Sequence, residues 1–500
     1  MTNSKGLRSA VCIAAIFAGG AAHADVTAAQ VWEDWKSQIA LYGEDSLTIG
    51  SEDASGDTLT VRDLAINMSD DDVTVNAALG DITFEEQGDG SVKVTMSESY
   101  PILITPVTGA VVTIDVSQSG LEMIVSGDPD AMRYDVSADS YKVALRDVVD
   151  GDITFTGDAQ LTANDLDATY TSATGDLREI TYDATLASVD FLVDIQVPGA
   201  EGEYVVASGK IAGMAMEGDM ALPLDADFDN PDDLFTNGFA FSGGYTVDRA
   251  DYVFDINADG DQLAGSVSTG NTNLNAQMSA EIIGYDATTT DVAVNIASGD
   301  LPFPVEVSMA EYGFGLEMPV AKADAPSDFR FSFDFIDIVL NDMVWDMFDP
   351  GTVLPRDPST LQFALSGQAR PLFDVMDPAQ ADAMNDADMP FELNAVNLDA
   401  LKIALAGALI TGEGAFTFDN SDLTTFDGFP RPEGDVVIQG SGINGLIDNL
   451  VAMGLLPEDQ VMGGRMMLGM FTQVTGDDQL ETKLEVNADG QVLANGQRIR

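Results

Sequence analysis

The only cysteine and the only histidine of this 500-residue chain stand near its start, as Cys12 and His23 in the stretch RSAVCIAAIFAGGAAHADV. The stretch is typical of a secretory signal, because basic residues precede a short apolar run that ends in the small-x-small sequence AHA. We therefore predict that residues 1–24 are a signal peptide, cleaved after Ala24. The mature chain would then contain no cysteine and no histidine.

Loss of both residue types removes most side-chain catalysis. Ser-His-Asp and Cys-His pairs, zinc or copper sites built on His and Cys, and disulfides all become impossible. Carboxylates, Lys, Tyr and oxygen-bound hard cations remain available. The chain has 84 Asp and Glu residues, and no two of them stand out as a catalytic pair. We predict a non-enzymatic protein without a catalytic residue or a cofactor.

Acidic loops raise the question of calcium. The sequence DINADGDQLAGS, which starts at Asp255, matches the first half of an EF-hand loop, but Ser266 stands where a bidentate Glu is needed. The flanking residues alternate in polarity, so we predict a β-hairpin turn with Gly260 at positive φ, and a similar turn in VNADGQVLANG. The acidic segment 225–234 has Asn230 in place of the loop glycine. We predict no metal site, and Ca²⁺ binding at these loops is the open alternative.

The composition is strongly acidic. The net charge is −63, from 84 acidic and 21 Lys and Arg residues, and loss of the two basic residues of the leader makes it −65. Nucleic acid and bare anionic membranes are therefore poor partners, and we predict no binding to nucleic acid. The hydrophobic fraction of 45% is that of a protein with a core, so the acidic residues belong on its surface.

Residues 46–320 alternate between apolar and polar positions, as in SVKVTMS, VVTIDVS, YVFDIN and PVEVSM. Turn sequences such as GDG, SGD and NADG separate these runs, and no long helical pattern interrupts them. The pattern predicts a large antiparallel sheet. The mature chain has no apolar run long enough for a transmembrane helix.

Three segments instead predict helices. In residues 27–43, Thr27 and Gln30 have capping-box spacing, while Trp32 and Trp35 fall on one helical face. That face must be buried. Packing in the core and stacking on a ligand are both compatible with it.

The second segment is a short helix that carries Trp345 and ends at Pro350. Pro350 and Pro355 stiffen the loop that follows, and Arg356 is one of few cations among many carboxylates. We expect Arg356 to form an ion pair with an Asp that holds the loop, with an anion site as the alternative. Arg431 lies between two prolines and is interpreted in the same way.

The third segment, 443–471, predicts a helical hairpin interrupted near Gly454 and Pro457. Methionine is concentrated there, and its flexible side chain adapts to irregular apolar partners. The candidate ligand-binding residues are Met453, Met462, Met466, Met467 and Met470. They would either fill a helix-to-sheet core or form a lid over an apolar groove of the sheet.

Four stretches carry a resemblance to a known family. They are residues 340–360, 412–434, 450–471 and the ending LEVNADGQVLANGQRIR. These sequences are similar to an alphaproteobacterial family of secreted proteins known as domain of unknown function 2125, and the similarity is expected to cover the whole mature chain. The resemblance implies a periplasmic location and a β-rich fold, and it implies no activity, ligand or catalytic residue.

Taken together, the sequence predicts a mainly β fold, with a large curved, groove-like antiparallel sheet, a few short helices and a C-terminal helical hairpin. Residues 25–500 would form one domain, with a possible subdivision near 319–327 into 25–320 and 328–500. The predicted function is that of a periplasmic envelope protein that binds an apolar ligand such as lipid, or another envelope protein. The alternatives are an outer-membrane β-barrel and a structural or interaction protein without a small ligand.

Salt should stabilise this protein. Like charges on its surface repel one another, and the Debye length falls to about 8 Å at physiological ionic strength. We expect the melting temperature to rise with added NaCl or millimolar Mg²⁺, as measured by circular dichroism. A melting temperature that is flat from low to high salt would contradict this expectation.

Overall fold

The computed structural model describes residues 25–40, 46–69, 72–107, 109–151, 153–155, 157–196, 202–224, 234–387 and 389–500. The predicted signal peptide, with Cys12 and His23, lies outside the described residues. The same holds for residues 225–233 of the acidic segment discussed above.

The described chain is mainly β. Its helices are α1 (Ala28–Ile39), α2 (Asp342–Phe348), α3 (Ala381–Asn385), α4 (Ile443–Ala452) and α5 (Glu458–Phe471), and a 3-10 turn at Pro378–Gln380 precedes α3. Its strands are β1 (Leu47–Thr48), β2 (Ser51–Ser55), β3 (Thr58–Ser69), β4 (Val73–Glu86), β5 (Val92–Thr95), β6 (Ser99–Pro106), β7 (Val111–Ser119), β8 (Glu122–Asp128), β9 (Ala131–Asp150), β10 (Ile153–Phe155), β11 (Asp158–Thr174), β12 (Leu177–Gln196), β13 (Tyr204–Pro223), β14 (Ala240–Ala258), β15 (Asp261–Thr269), β16 (Thr272–Met278), β17 (Ile282–Ser298), β18 (Val305–Pro319), β19 (Ser327–Leu340), β20 (Ser359–Pro371), β21 (Phe391–Leu405), β22 (Ala408–Asp419), β23 (Arg431–Ser441), β24 (Gln473–Gly476), β25 (Gln479–Val486), β26 (Val492–Ala494) and β27 (Gln497–Arg498).

These strands form one antiparallel sheet, which confirms the predicted fold class. From β11 onward the sheet is a meander in which most strands pair with the strands before and after them. The strands β15 and β16 together occupy one position, because both lie between β14 and β17. Near residues 319–327, β18 pairs directly with β19, as Glu317 does with Arg330. The sheet is therefore continuous at this point.

A left-handed residue within a long strand reverses the side-chain alternation of that strand. In β13, Gly213 has φ of +62°. The exposed residues before it are Val206 and Lys210, at even positions, and those after it are Glu217 and Asp219, at odd positions. A regular strand keeps one parity on each face, so the kink at Gly213 keeps the less exposed, mostly apolar residues on one face on both sides of Gly213.

The same kink recurs across the sheet, with Asp in place of Gly. Asp165, Asp291 and Asp337 have φ of 51°, 50° and 53° and lie inside β11, β17 and β19. Asp is one of the few residues besides Gly that tolerate this conformation. A row of kinks on alternate strands thus bends the sheet without exchanging its polar and apolar faces.

Helix α1 packs on the N-terminal part of the sheet and completes its largest core. The predicted capping box is present, with reciprocal hydrogen bonds between Thr27 and Gln30. Trp32 is 1% exposed and lies 5.8 Å from the ring of Phe84, while the half-buried Trp35 lies 5.4 Å from the same ring. Core packing is therefore the correct interpretation of the tryptophan face. The helix itself ends at Ile39.

A smaller core lies beside β19 and the β21–β22 turn. Trp345, Leu354 and Ala406 are buried there, and Leu446 and Leu450 of α4 pack against them. The predicted short helix with Trp345 and the predicted helical hairpin are thus both present, as α2 and as α4 with α5. Helix α3 was not predicted from the sequence.

Truncation of Trp32 should destabilise the protein strongly. Trp32→Ala would remove the ring from the core and the hydrogen bond from Nε1 to Glu52 (2.8 Å). We expect the free energy of unfolding to fall by about 3 to 5 kcal/mol, because a buried aromatic leaves a large cavity. Chemical denaturation followed by tryptophan fluorescence measures this change, with Trp32→Phe as the milder control. Equal stability of Trp32→Ala and wild type would contradict the packing described here.

Candidate functional site

One face of the sheet carries unbroken rows of apolar side chains. Residues paired across neighbouring antiparallel strands point to the same face, so the strand registers identify each row. From β9 to β21, one row consists of Tyr134, Tyr170, Tyr182, Gly218, Gly243, Ala276, Tyr285, Leu316, Phe331, Leu365 and Leu398. The adjacent row consists of Val136, Ala168, Ala184, Met216, Tyr245, Leu274, Ala287, Phe314, Phe333, Phe363 and Leu401.

We call these two rows the apolar lane. Neither contains a charged residue. Each crosses eleven strands, which at the usual strand spacing is a path of about 48 Å. Aromatic rings form its densest part: Phe314 lies 5.9 Å from Tyr285 and 5.8 Å from Phe331, and Phe333 stacks on Phe363 at 5.5 Å. The lane is therefore a continuous apolar path across the sheet.

Close approach of a ring explains a glycine in the lane. A Cβ atom at Gly218 would lie 2.6 Å from the hydroxyl oxygen of Tyr182. The tyrosine side chain thus lies across a position that must stay without a side chain, which flattens this part of the lane.

No second layer covers the middle of the lane within the described part of the chain. The closest helix-to-sheet packing is that of α1 on β3 and β4 and that of α4 on β22, and α1 also makes side-chain hydrogen bonds to Tyr134, Tyr170 and Arg178. Neither buried core cluster includes a side chain from β12 to β18. The lane residues there are half-buried by their neighbours, and Tyr285 is 37% exposed. This face has the apolar composition of a protein core, but in the described part of the chain no second layer packs on it.

Helix α1 closes the first end of the lane. The hydroxyl of Tyr134 donates to Asp34 at 2.7 Å, and that of Tyr170 donates to Gln38 at 3.3 Å. Burial and the hydrogen bond to Asp34 both raise the pKa of the Tyr134 phenol. That phenol therefore stays a protonated donor to the helix. At the other end, Leu398 pairs with Gly414 of β22, the strand on which α4 packs.

The opposite face of the same strands is polar. It contains a shallow depression of about 1150 Å³ lined by hydroxyls, amides and carboxylates. Its two arginines are paired, Arg133 with Asp135 at 2.7 Å and Arg330 with Asp286 at 2.9 Å. Since both cations are neutralised by neighbouring carboxylates, the depression offers no concentrated positive charge to a ligand.

The loop after α2 is held by the ion pairs predicted for Arg356. Its guanidinium donates to Asp342 at 2.7 Å and to Asp346 at 2.6 Å, and lies over the ring of Trp345. This arrangement confirms the structural interpretation of Arg356. Pro350 directly follows the α2 C-cap, and Pro355 packs on Gly407 in the β21–β22 turn. The two prolines thus help to hold the loop over the small core.

A buried carboxylate shapes the same loop. Asp349 is 1% exposed and accepts hydrogen bonds from the N–H groups of Val353 (3.0 Å) and Leu354 (2.8 Å). Burial opposes ionisation, but these two bonds and the charge of Arg356 lower the pKa of Asp349 below its ordinary value. The carboxylate is therefore an anionic cap for the loop backbone.

Arg431 plays a similar structural part elsewhere. It pairs with Asp419 at 3.0 Å and with Asp422 at 3.2 Å, and donates to the carbonyl of Ala488 at 2.6 Å. Hydrogen bonds led by those from Thr425 lower the pKa of Asp422 to about 2. The ion-pair interpretation of Arg431 is confirmed as well.

The hairpin of α4 and α5 packs on the sheet through α4, at β22, one strand beyond the last strand of the lane, and its role as a lid stays a prediction. Helix α4 packs at one end of the sheet, where Met453 joins the Trp345 cluster. Core filling is therefore correct for Met453. It is wrong for the other four methionines, which are exposed: Met462, Met466, Met467 and Met470.

The acidic turns behave as hairpins. Asp259 and Gly260 have φ of 55° and 89° and join β14 to β15, as predicted for this turn. Gly490, at φ of 71°, lies in the corresponding turn between β25 and β26. Across the described ranges, no three His, Cys, Asp or Glu side chains are grouped as metal ligands would be.

The apolar lane as a whole was not predicted from the sequence. Its signal is present in the shifts of alternation at Asp165, Gly213, Asp291 and Asp337, where apolar residues change from one parity to the other. In the sequence, a change of parity looks like the end of one strand and the start of another. Only a left-handed residue inside the strand allows the two parts to form one continuous strand.

Comparison with known protein families gives a match. A family described as "Uncharacterized protein conserved in bacteria (DUF2125)" matches residues 249–499. The chain belongs to this family. No curated protein and no solved structure matches the chain.

The family match begins in β14 and extends through the aromatic part of the lane, the Arg356 loop and the helical hairpin. Its extent is smaller than the whole mature chain expected from the resemblance. Residues 25–248, which include α1, lie outside the match. None of the helices in the described part of the chain is long and apolar enough to cross a membrane.

Replacement of Asp349 should make the protein less stable and less sensitive to acid. A lowered pKa contributes stability above the ordinary Asp value of about 3.9, and this contribution is lost as the pH falls through the folded-state pKa. Asp349→Asn should therefore lower the melting temperature at pH 7, and its difference from wild type should shrink below about pH 4. Thermal melts from pH 7 to pH 3 measure this, with Asp357→Asn as the exposed control. A difference that is constant over this range would contradict the role given to Asp349.

Proposed function

We propose that this protein is a non-enzymatic envelope protein of the periplasm that holds the acyl chains of lipids on its apolar lane. The observation that carries the proposal is the uncovered lane itself, two apolar rows that cross eleven strands without a charged side chain. Exposed apolar surface of this extent is unfavourable in water, and burial against hydrocarbon returns about 25 cal/mol per Å².

The chemistry of the lane suits an acyl chain. Leu, Met, Phe and Ala side chains provide only dispersion contacts. The hydroxyl groups of Tyr134 and Tyr170, at the end of the lane nearest α1, already donate to Asp34 and Gln38. Acyl chains need no hydrogen bonds, so a surface with few free polar groups loses nothing when it binds them. The long, shallow form of the lane also matches an extended molecule better than a compact one.

Two further features support a carrier in the periplasm. The N-terminal residues have the pattern of a cleaved secretory leader, and the acidic polar face keeps the protein soluble while its other face is apolar. The only ionisable side chains in the lane rows are tyrosines, and the two nearest α1 are engaged as donors to Asp34 and Gln38.

Lipid retention tests the proposal. Protein purified from its native envelope should release near-stoichiometric lipid into organic solvent, as measured by mass spectrometry. The double variant Tyr285→Asp with Phe314→Asp places two carboxylates in the lane. It should retain about tenfold less lipid, because a charge in hydrocarbon is strongly unfavourable.

The matched control adds two carboxylates to the polar face of the same sheet, as Thr181→Asp with Ser242→Asp, where both side chains are exposed. It should retain lipid as the wild type does. The proposal is wrong if wild-type protein carries no lipid, or if both double variants retain equal amounts while their circular dichroism and melting temperatures match.

A further inference from the structure

Helix α5 carries an apolar surface that nothing in the described chain covers. Met462, Met466, Met467 and Met470 are 73%, 68%, 60% and 65% exposed. Three of them follow the i, i+4, i+8 spacing of one helical face, and Met467 flanks it. With the nearby Leu455 and Val474, which are 58% and 76% exposed, these methionines form what we call the methionine tip.

The chain holds α5 in place from its other sides. Arg465 donates to Asp448 of α4 at 2.6 Å and to the carbonyl of Asn444. At the C-terminal end of the helix, the carbonyl of Phe471 accepts hydrogen bonds from Thr482 (3.1 Å) and Asn495 (2.8 Å). The methionine face is thus the free side of an anchored helix.

Charge is sparse along most of this face. Residues 460–476 include no Asp or Glu, although 84 of the 500 residues are acidic. Arg465 is the one cation of that segment, and Asp448 neutralises it. The nearest carboxylates, Glu458 and Asp459, are exposed in the first turn of α5, at the N-terminal edge of the tip. The rest of the tip carries no unpaired charge, as a surface that leaves water requires.

The small size of the tip decides between possible occupants. It offers six side chains, whereas a stable protein interface uses about 20 residues on each side. A second copy would also bring another net charge of −63 close to the first. A bilayer requires no complementary surface and accepts a convex apolar helix at the boundary between headgroups and hydrocarbon.

We propose that the methionine tip inserts into the surface of a zwitterionic bilayer. The net negative charge of the protein repels anionic lipid headgroups, whereas the methionine tip inserts among apolar chains. Together these two features favour a bilayer whose headgroups carry no net charge. This contact is separate from the apolar lane, and its test does not depend on lipid bound there.

Flotation with vesicles tests the proposal. Purified protein should float with phosphatidylcholine–phosphatidylethanolamine vesicles at 0.15 M NaCl, and phosphatidylglycerol should weaken binding at low salt. The quadruple variant Met462→Gln, Met466→Gln, Met467→Gln and Met470→Gln should bind the vesicles with about tenfold lower affinity, since it removes apolar area from the contact. Its melting temperature should match that of the wild type, because all four side chains are exposed.

A control variant replaces exposed apolar residues far from α5, as Met68→Gln with Val107→Gln, and should bind as the wild type does. The lane variant Tyr285→Asp with Phe314→Asp should also bind vesicles, which separates this proposal from lipid carriage. The proposal is overturned if the wild type does not float, if the quadruple variant floats equally well, or if light scattering shows a wild-type dimer that the quadruple variant loses.

Discussion

A single-layer sheet with strands of up to 20 residues must keep its apolar side chains on one face along the whole strand, and the left-handed kinks meet this constraint. At Gly213 the apolar positions change from odd to even, and the kink turns the backbone so that they remain on the same side. Without it, half of each long strand would present its apolar residues on the acidic face. The lane, its aromatic stacks and the solubility of the opposite face all depend on this reversal.

Stability without a covering layer then comes from within the sheet and from its ends. Cross-strand aromatic pairs such as Phe333 with Phe363 contribute about 0.5 to 1.5 kcal/mol each beyond the area that they bury. Fully buried cores occur where helices pack, around Trp32 and around Trp345. The middle of the sheet is therefore folded while its apolar face stays accessible, which is the arrangement that a carrier of acyl chains needs.

Local patterns in the sequence were sufficient to predict much of this architecture. Alternation and turn residues predicted the antiparallel sheet and the turn at Gly260, and the spacing of Thr27 and Gln30 predicted α1 with its cap. The ion pair of Arg356 followed from the scarcity of cations. Long-range placement was not accessible in the same way. Met453 and Met466 both belong to the methionine-rich segment 443–471, yet one is packed beside Trp345 and the other is exposed, because only the fold determines which helix meets the sheet.

In the part of the protein from β11 onward, the meander also limits most contacts to neighbouring strands, as in a repeat protein whose units contact only their neighbours. Since most strands from β11 onward contact chiefly the strands before and after them, the stability of this part is close to a sum of nearest-neighbour terms, as in solenoid proteins. Folding can then spread from hairpin to hairpin with little loss of chain entropy. A hairpin added or removed in the middle would change the length of the lane by about 10 Å and leave both helix-capped ends intact. The number of hairpins thus sets the length of the lane. Chains of different length can therefore have the same architecture.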